Sequence, residues 1–149
     1  MAKVCHTTQN HSPGQRSLSS LQFDAPLPYG AILQEGGSNR ADGVQFVVFS
    51  RHATAMRLLL YDTPEDGEPV EVISFDPTHD RWGDVWSIFV PGLKHGQLYH
   101  FQADGPFDPS AGHRFDPNAR LVDPYANALP GHVLHHDART ISPPKSAVA

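Results

Sequence analysis

The chain has a single cysteine, Cys5, so no disulfide can form within it, and a reducing, cytoplasmic setting is the expectation. No run of residues is long and apolar enough to span a membrane. The first residues, "MAKVCHTTQNHSPGQRSLSS", lack the apolar stretch of a secretory signal. No segment keeps a helical apolar period over eleven residues. Positive charge is also scarce: the net charge is -5, with acids and bases interspersed, so no basic face invites nucleic acid or anionic lipid. "GGSNRADG" (36–43) has neither the lysine nor the following helix of a phosphate-cradling loop, and no nucleophile elbow surrounds any serine.

The sequence is instead rich in β signals. "GVQFVVFS" (43–50) places Val44, Phe46 and Val48 on one face, and "AMRLLLYD" (55–62) does the same with Met56, Leu58 and Leu60. "PVEVISFD" (69–76), "DVWSIFV" (84–90) and "QLYHFQAD" (97–104) continue the series. Between them lie "TPEDGE", "DPTHDRWG" and "PGLKHG", each with Pro or Gly where the chain must reverse. "PYGAI" (28–32) suggests an edge strand, and 119–122 another. Short strands joined by turns imply an all-β fold, an antiparallel β-sandwich. The organisation expected is a disordered leader over 1–22, the sandwich over 23–128 and a linker over 129–149.

"GPFDPSAGHRFDPNARLVDPYA" (105–126) holds three Asp-Pro pairs, at Asp108, Asp116 and Asp123, among Phe107, Arg114, Phe115 and Tyr125. It could be an active site, a sugar-binding surface or a rigid strap. A glycosidase dyad needs two carboxyl groups held about 5–5.5 Å apart. Asp before Pro is instead a turn starter, its side chain bonding nearby N–H groups. Proline fixes φ and removes a donor, which favours the strap. Arg114 could pair with an Asp in a planar fork, and Phe115 and Tyr125 could anchor it.

His132, His135 and His136 in "HVLHHD" have spacing that would suit zinc on a helix, but Pro130-Gly131 precedes them, and a connecting loop without metal is expected. Aromatic side chains are the stronger signal. Flat sugar faces stack on exposed rings, which makes Trp82, Trp86, Phe107 and Tyr61 glucan-binding candidates. Trp86, Tyr99 and Phe101 also fit a core of alternating strands.

"PYGAI", "GVQFVVFSRHATAMRLLLYD" and "GDVWSIFVPGLKHGQLYHFQADGPFDPSAGHRFDPNARLVDPYANAL", in this order, resemble the N-terminal domain of isoamylase-type glycogen debranching enzymes. The resemblance implies an immunoglobulin-like sandwich, the family 48 carbohydrate-binding module, ahead of an α-amylase-type (β/α)8 barrel. Such enzymes hydrolyse α-1,6 branches, and their catalytic carboxylates belong to the barrel. It therefore implies a non-catalytic module with no cofactor. Its partners would be α-glucan and the barrel, met by Arg114, Phe115, Asp116, Pro117, Asp123, Pro124 and Tyr125. A docking domain without sugar affinity is the alternative. Two departures stand out. Tyr99-His100-Phe101-Gln102 replaces the Tyr-Gly-Tyr-Arg of many relatives. "TPEDGE" carries no aromatic where the glycogen-binding module of AMP-activated kinase β subunits has a sugar-stacking Trp.

Overall fold

The computed structural model describes residues 28–38, 41–130 and 144–149. The leader over 1–22 and the His132, His135 and His136 group lie outside the described residues. The strands are β1 (Gly30–Gln34), β2 (Gly43–Phe49), β3 (Ala55–Tyr61), β4 (Glu71–Ser74) and β5 (Arg81–Trp82), then β6 (Val85–Pro91), β7 (Leu98–Asp104), β8 (Phe107–Asp108), β9 (His113–Arg114) and β10 (Ser146–Ala147). They form two four-stranded sheets, β1-β2-β6-β5 and β10-β7-β3-β4, and a small β8-β9 hairpin. Every pairing is antiparallel. The result is the antiparallel β-sandwich that the alternating pattern implies, immunoglobulin-like as the family resemblance implies. Among the described residues no helix is long and apolar enough to cross a membrane.

The core is built from the faces that alternation marks out. Val44, Phe46 and Val48 of β2 meet Met56, Leu58 and Leu60 of β3, with Trp86 and Ile88 of β6 and Tyr99 and Phe101 of β7 between them. Edge-to-face contacts of Phe46 with Tyr99 (5.0 Å) and Phe101 (6.4 Å) knit the two sheets together. "PYGAI" supplies β1 at the sheet edge, as expected. Gly43 is required where β2 begins: an added Cβ would lie 2.5 Å from the Val90 carbonyl oxygen.

Two expectations are corrected. Residues 119–122 form no strand; Leu121 makes one reciprocal bridge to Phe101, with N–H···O distances of 2.8 and 2.9 Å. The Asp116 turn and the prolines on either side leave no longer stretch of donors to pair. The end of the span read as a linker instead completes the second sheet. Ser146 and Ala147 pair with Tyr99 and Leu98, and Val148 enters the main core. The cause is the outward face of β3 and β7, where Leu59, Tyr61 and Leu98 are apolar and Ala147 covers them. His100 fixes this tail. Its Nε2 lies 3.0 Å from the Pro144 carbonyl, which can only accept, so Nε2 carries a hydrogen, and its Nδ1 is hydrogen-bonded to the Tyr61 hydroxyl at 3.2 Å.

Candidate functional site

The 105–126 segment folds as its Asp-Pro pairs dictate. Asp108 Oδ1 accepts from the Ser110 and Ala111 N–H groups, Asp116 Oδ1 from Asn118 N–H, and Asp123 Oδ1 from Tyr125 N–H. Each proline therefore sits inside an Asp-capped turn. At Asp108 the bond from the Ser110 hydroxyl, with the backbone donors behind it, holds the carboxyl below the usual range. Its oxygen is thus engaged as an acceptor within its own turn.

The strap is anchored inward at two of the positions expected to dock. Phe115 packs on the main core, and its ring leaves no room for a Cβ at Gly105, which would lie 2.8 Å away. Asp123 is buried; its Oδ2 accepts from the Tyr99 hydroxyl at 2.6 Å, and its N–H donates to Ser146 Oγ at 3.0 Å. Asp123 is thus part of the sandwich interior and not of a docking surface, because its carboxylate is turned onto the buried Tyr99 hydroxyl, whereas Phe115 is half-buried. Pro117 is half-buried, whereas Arg114, Asp116, Pro124 and Tyr125 are exposed. Tyr125 stacks on Tyr29 with centroids 4.8 Å apart. The expected fork of Arg114 is not formed among the described residues. Arg120 is the strap's pairing arginine, reaching Glu68 Oε2 at 3.1 Å and the Gly67 carbonyl. Replacing Phe115 with Ala is expected to lower stability by about 2 kcal/mol, read from chemical denaturation. An unchanged midpoint would refute its anchoring role.

The four aromatic candidates divide sharply. Phe107 is 72% exposed and Trp82 61% exposed. Trp86 and Tyr61 are both 0% exposed and cannot stack on sugar. Alternation along β6 turns Trp86 into the core, under the Arg81 guanidinium at 4.8 Å. Tyr61 points out of the sandwich but is covered by the 144–148 tail, with Lys145 Nζ 4.7 Å from its ring. Below Phe107's hairpin opens a cleft of about 370 Å³ lined by His52, His113, Arg114, Phe115, Asp116 and Leu121. His52 packs on His113 there, ring centroids 4.4 Å apart.

The loop after β3, the one without an aromatic, is held shut from within. Asp66 accepts from the Asp62 and Thr63 N–H groups and the Thr63 hydroxyl, and these bonds, the Thr63 backbone one foremost, pull its carboxyl down. Arg120 and Lys145 then tie the Gly67 and Pro64 carbonyls to the strap and the tail. Neither cation could be picked out from sequence, since their partners lie 53 and 81 residues away. In the next turn Asp80 is buried, Oδ2 accepting from Asp76 N–H at 2.7 Å, and burial pushes its carboxyl up. Among the described residues no group of three or more His, Cys, Asp or Glu side chains could hold a metal ion.

A sandwich of this order, closed by an Asp-Pro strap and carrying exposed rings, agrees with the family comparison: the model of carbohydrate-binding module 48, the isoamylase N-terminal domain, matches residues 28–126. The chain belongs to that family. As a family 48 module it is 41% identical over 116 residues to a glycogen debranching enzyme of Yersinia pseudotuberculosis, covering 78% of this chain and 16% of that protein. A glycogen debranching enzyme of Yersinia enterocolitica is 37% identical over 112 residues, covering 75% and 15%. This module therefore spans only about a sixth of those relatives. Among solved structures it resembles a pullulanase of Group B Streptococcus in complex with maltotetraose, with a TM-score of 0.60 and 21% identity over 83% of this chain and 14% of that one. A Klebsiella pneumoniae pullulanase complexed with maltotriose gives a TM-score of 0.58 at 20% identity, covering 82% and 9%. These likenesses are of fold.

Proposed function

We propose that this chain serves as the non-catalytic N-terminal module of a debranching glycoside hydrolase, holding α-glucan near a (β/α)8 barrel that it packs against. The barrel would supply the carboxylates that hydrolyse α-1,6 branches in glycogen or limit dextrin. No cofactor enters this reading, and a cytoplasmic enzyme goes with the single cysteine. The observation that carries it is the Phe107 ring, largely exposed on a short hairpin beside an open cleft with His, Arg and Asp side chains. An apolar plate next to convergent polar groups suits a pyranose, which offers an apolar face and a ring of hydroxyls. The relatives named glycogen debranching enzymes, and the pullulanases solved with maltotetraose and maltotriose, support the glucan. The exposed strap residues Arg114, Asp116, Pro124 and Tyr125 are the proposed contacts with the barrel.

A second reading, docking without sugar affinity, is favoured by the loop after β3, which has no aromatic and is pinned by Arg120 and Lys145. Titration with maltoheptaose, followed by amide NMR, separates the two. Saturable shifts over 105–116, weakened about fivefold or more in Phe107→Ala, are the expected result. No shift up to millimolar sugar would leave the docking module.

A further inference from the structure

The first sheet buries both of its faces. Strand register separates them: Gln45 of β2 is opposite Phe89 of β6, Val47 opposite Ser87, and Phe49 opposite Val85. Directly opposed residues of an antiparallel pair project to one face. Phe46, Val48, Trp86 and Ile88, of the other parity, point into the core, so this set points outward. The outward face of an antiparallel sheet is commonly polar and solvated. Here Gln45, Val47, Val85, Ser87 and Phe89 are each 7% exposed or less. Val47, Val85 and Phe89 belong to neither apolar cluster of the described residues.

Buried polar atoms indicate what covers this face. Gln45 Nε2 donates to Ser87 Oγ at 2.5 Å, whereas Gln45 Oε1 accepts from no described group. Gln34 Oε1, on the same side of β1, is placed alike. A buried acceptor needs a donor, so the cover carries N–H or O–H groups as well as apolar side chains. The burial arises within a single chain.

The sequence ahead of β1 has that character. "LQFDAPL" (21–27) sets Leu21, Phe23, Ala25 and Leu27 at alternate positions. Pro26 and Pro28 bias Ala25 and Leu27 toward extended backbone, in which a period of two lines all four on one side. The residues before Pro26 keep their N–H groups as donors. At about 3.3 Å per residue the segment reaches roughly 23 Å, while β1 to β6 is two strand spacings, about 10 Å. It leads directly into β1, whose Gly30 pairs with Val47 in the middle of the face. The span 131–143 is flanked instead by the second sheet, where Ala128 bridges Ala147 and the Pro144 carbonyl meets His100.

We infer that the outward face of the first sheet is the docking surface of residues 21–27 of this chain. Their apolar side chains meet Val47, Val85 and Phe89, and their N–H groups meet the glutamine oxygens. The cover stops short of Phe49, which is 47% exposed at the end of β2. A face closed in this way is offered to neither glucan nor barrel, and the inference stands apart from the glucan reading.

The test is NMR on the 149-residue chain. The expected result is nuclear Overhauser contacts from the Leu21 and Phe23 side chains to Val47, Val85 or Phe89. Leu21→Asp and Phe23→Asp should each lower Tm by about 5 °C or more and move the amide signals of 45–49 and 85–89. Gln22→Asp, on the other side of an extended segment, should do neither. The wild-type contacts are read without any substitution, so a variant that fails to fold still leaves a decisive measurement. Contacts to this face from 131–143, or only between differently labelled molecules, would overturn the inference. So would Leu21→Asp and Phe23→Asp with wild-type Tm and spectra.

Discussion

Replacing Trp86 with Ala is expected to cost about 4 kcal/mol, the largest effect of any single side chain considered. The indole is fully buried between the sheets, edge-on to Phe75 with centroids 6.3 Å apart and under the Arg81 guanidinium. Its N–H donates to the Ser50 carbonyl at 3.1 Å. Alanine would leave a cavity, an unpaired Ser50 carbonyl and a guanidinium without its ring. Native domains are stable by only about 5–15 kcal/mol, so the variant should unfold at much lower urea. Far-UV circular dichroism against urea measures this. Trp86→Phe should retain much of the stability, because it fills most of the space and loses only the N–H bond. A loss below about 1 kcal/mol in Trp86→Ala would show that the interior is not packed around this residue.

The second large effect lies where the strap meets the sandwich. Asp123→Ala removes the acceptor of the buried Tyr99 hydroxyl and of Tyr125 N–H, and should cost about 3 kcal/mol. For a domain of this size that is a fall of roughly 10 °C or more in Tm. Tyr99→Phe leaves the buried Asp123 carboxylate short of one donor and should also destabilise. Removing both partners leaves neither stranded, so the double variant should lose less than the sum of the singles. Strict additivity would mean the 2.6 Å contact contributes nothing specific.

The same pair makes a prediction about alkaline pH. Burial, followed by the Asp123 carboxylate, raises the Tyr99 hydroxyl far above its usual range. The unfolded tyrosine ionises near its ordinary value of about 10 while the folded one keeps its proton. Tyr99's contribution is therefore complete below that value and is lost as pH climbs above it. Tyr61 acts with the same sign, chiefly through burial. Stability measured from pH 8 upward should fall beyond about 10, and Tyr99→Phe should flatten that slope.

Much of the fold can be read from local pattern. Alternation in "GVQFVVFS" and "AMRLLLYD" marks which residues face inward, and the core contains those residues. The Asp-Pro pairs announce turns, and all three aspartates cap one. Period and turn chemistry are properties of neighbouring residues, so they survive without any tertiary information. The candidate site was far less legible. Trp82 and Trp86 are four residues apart and chemically identical, yet one is a surface plate and the other the centre of the core. Which one faces out depends on where the β5–β6 turn falls.

The sequence by itself determined an all-β sandwich, its inward residues, its turns and, through motif order, a resemblance to the isoamylase N-terminal domain. Tertiary structure alone decided the rest. It withdrew Tyr61 from the surface by folding Lys145 and Ala147 over β3 and β7, and turned Asp123 inward to the Tyr99 hydroxyl. It also brought Arg120 and Lys145 to one loop across more than fifty residues. The physical reason is common to all of these. Burial and pairing are set by which strands and segments come to lie side by side, and contacts between distant residues leave no periodic trace in the chain.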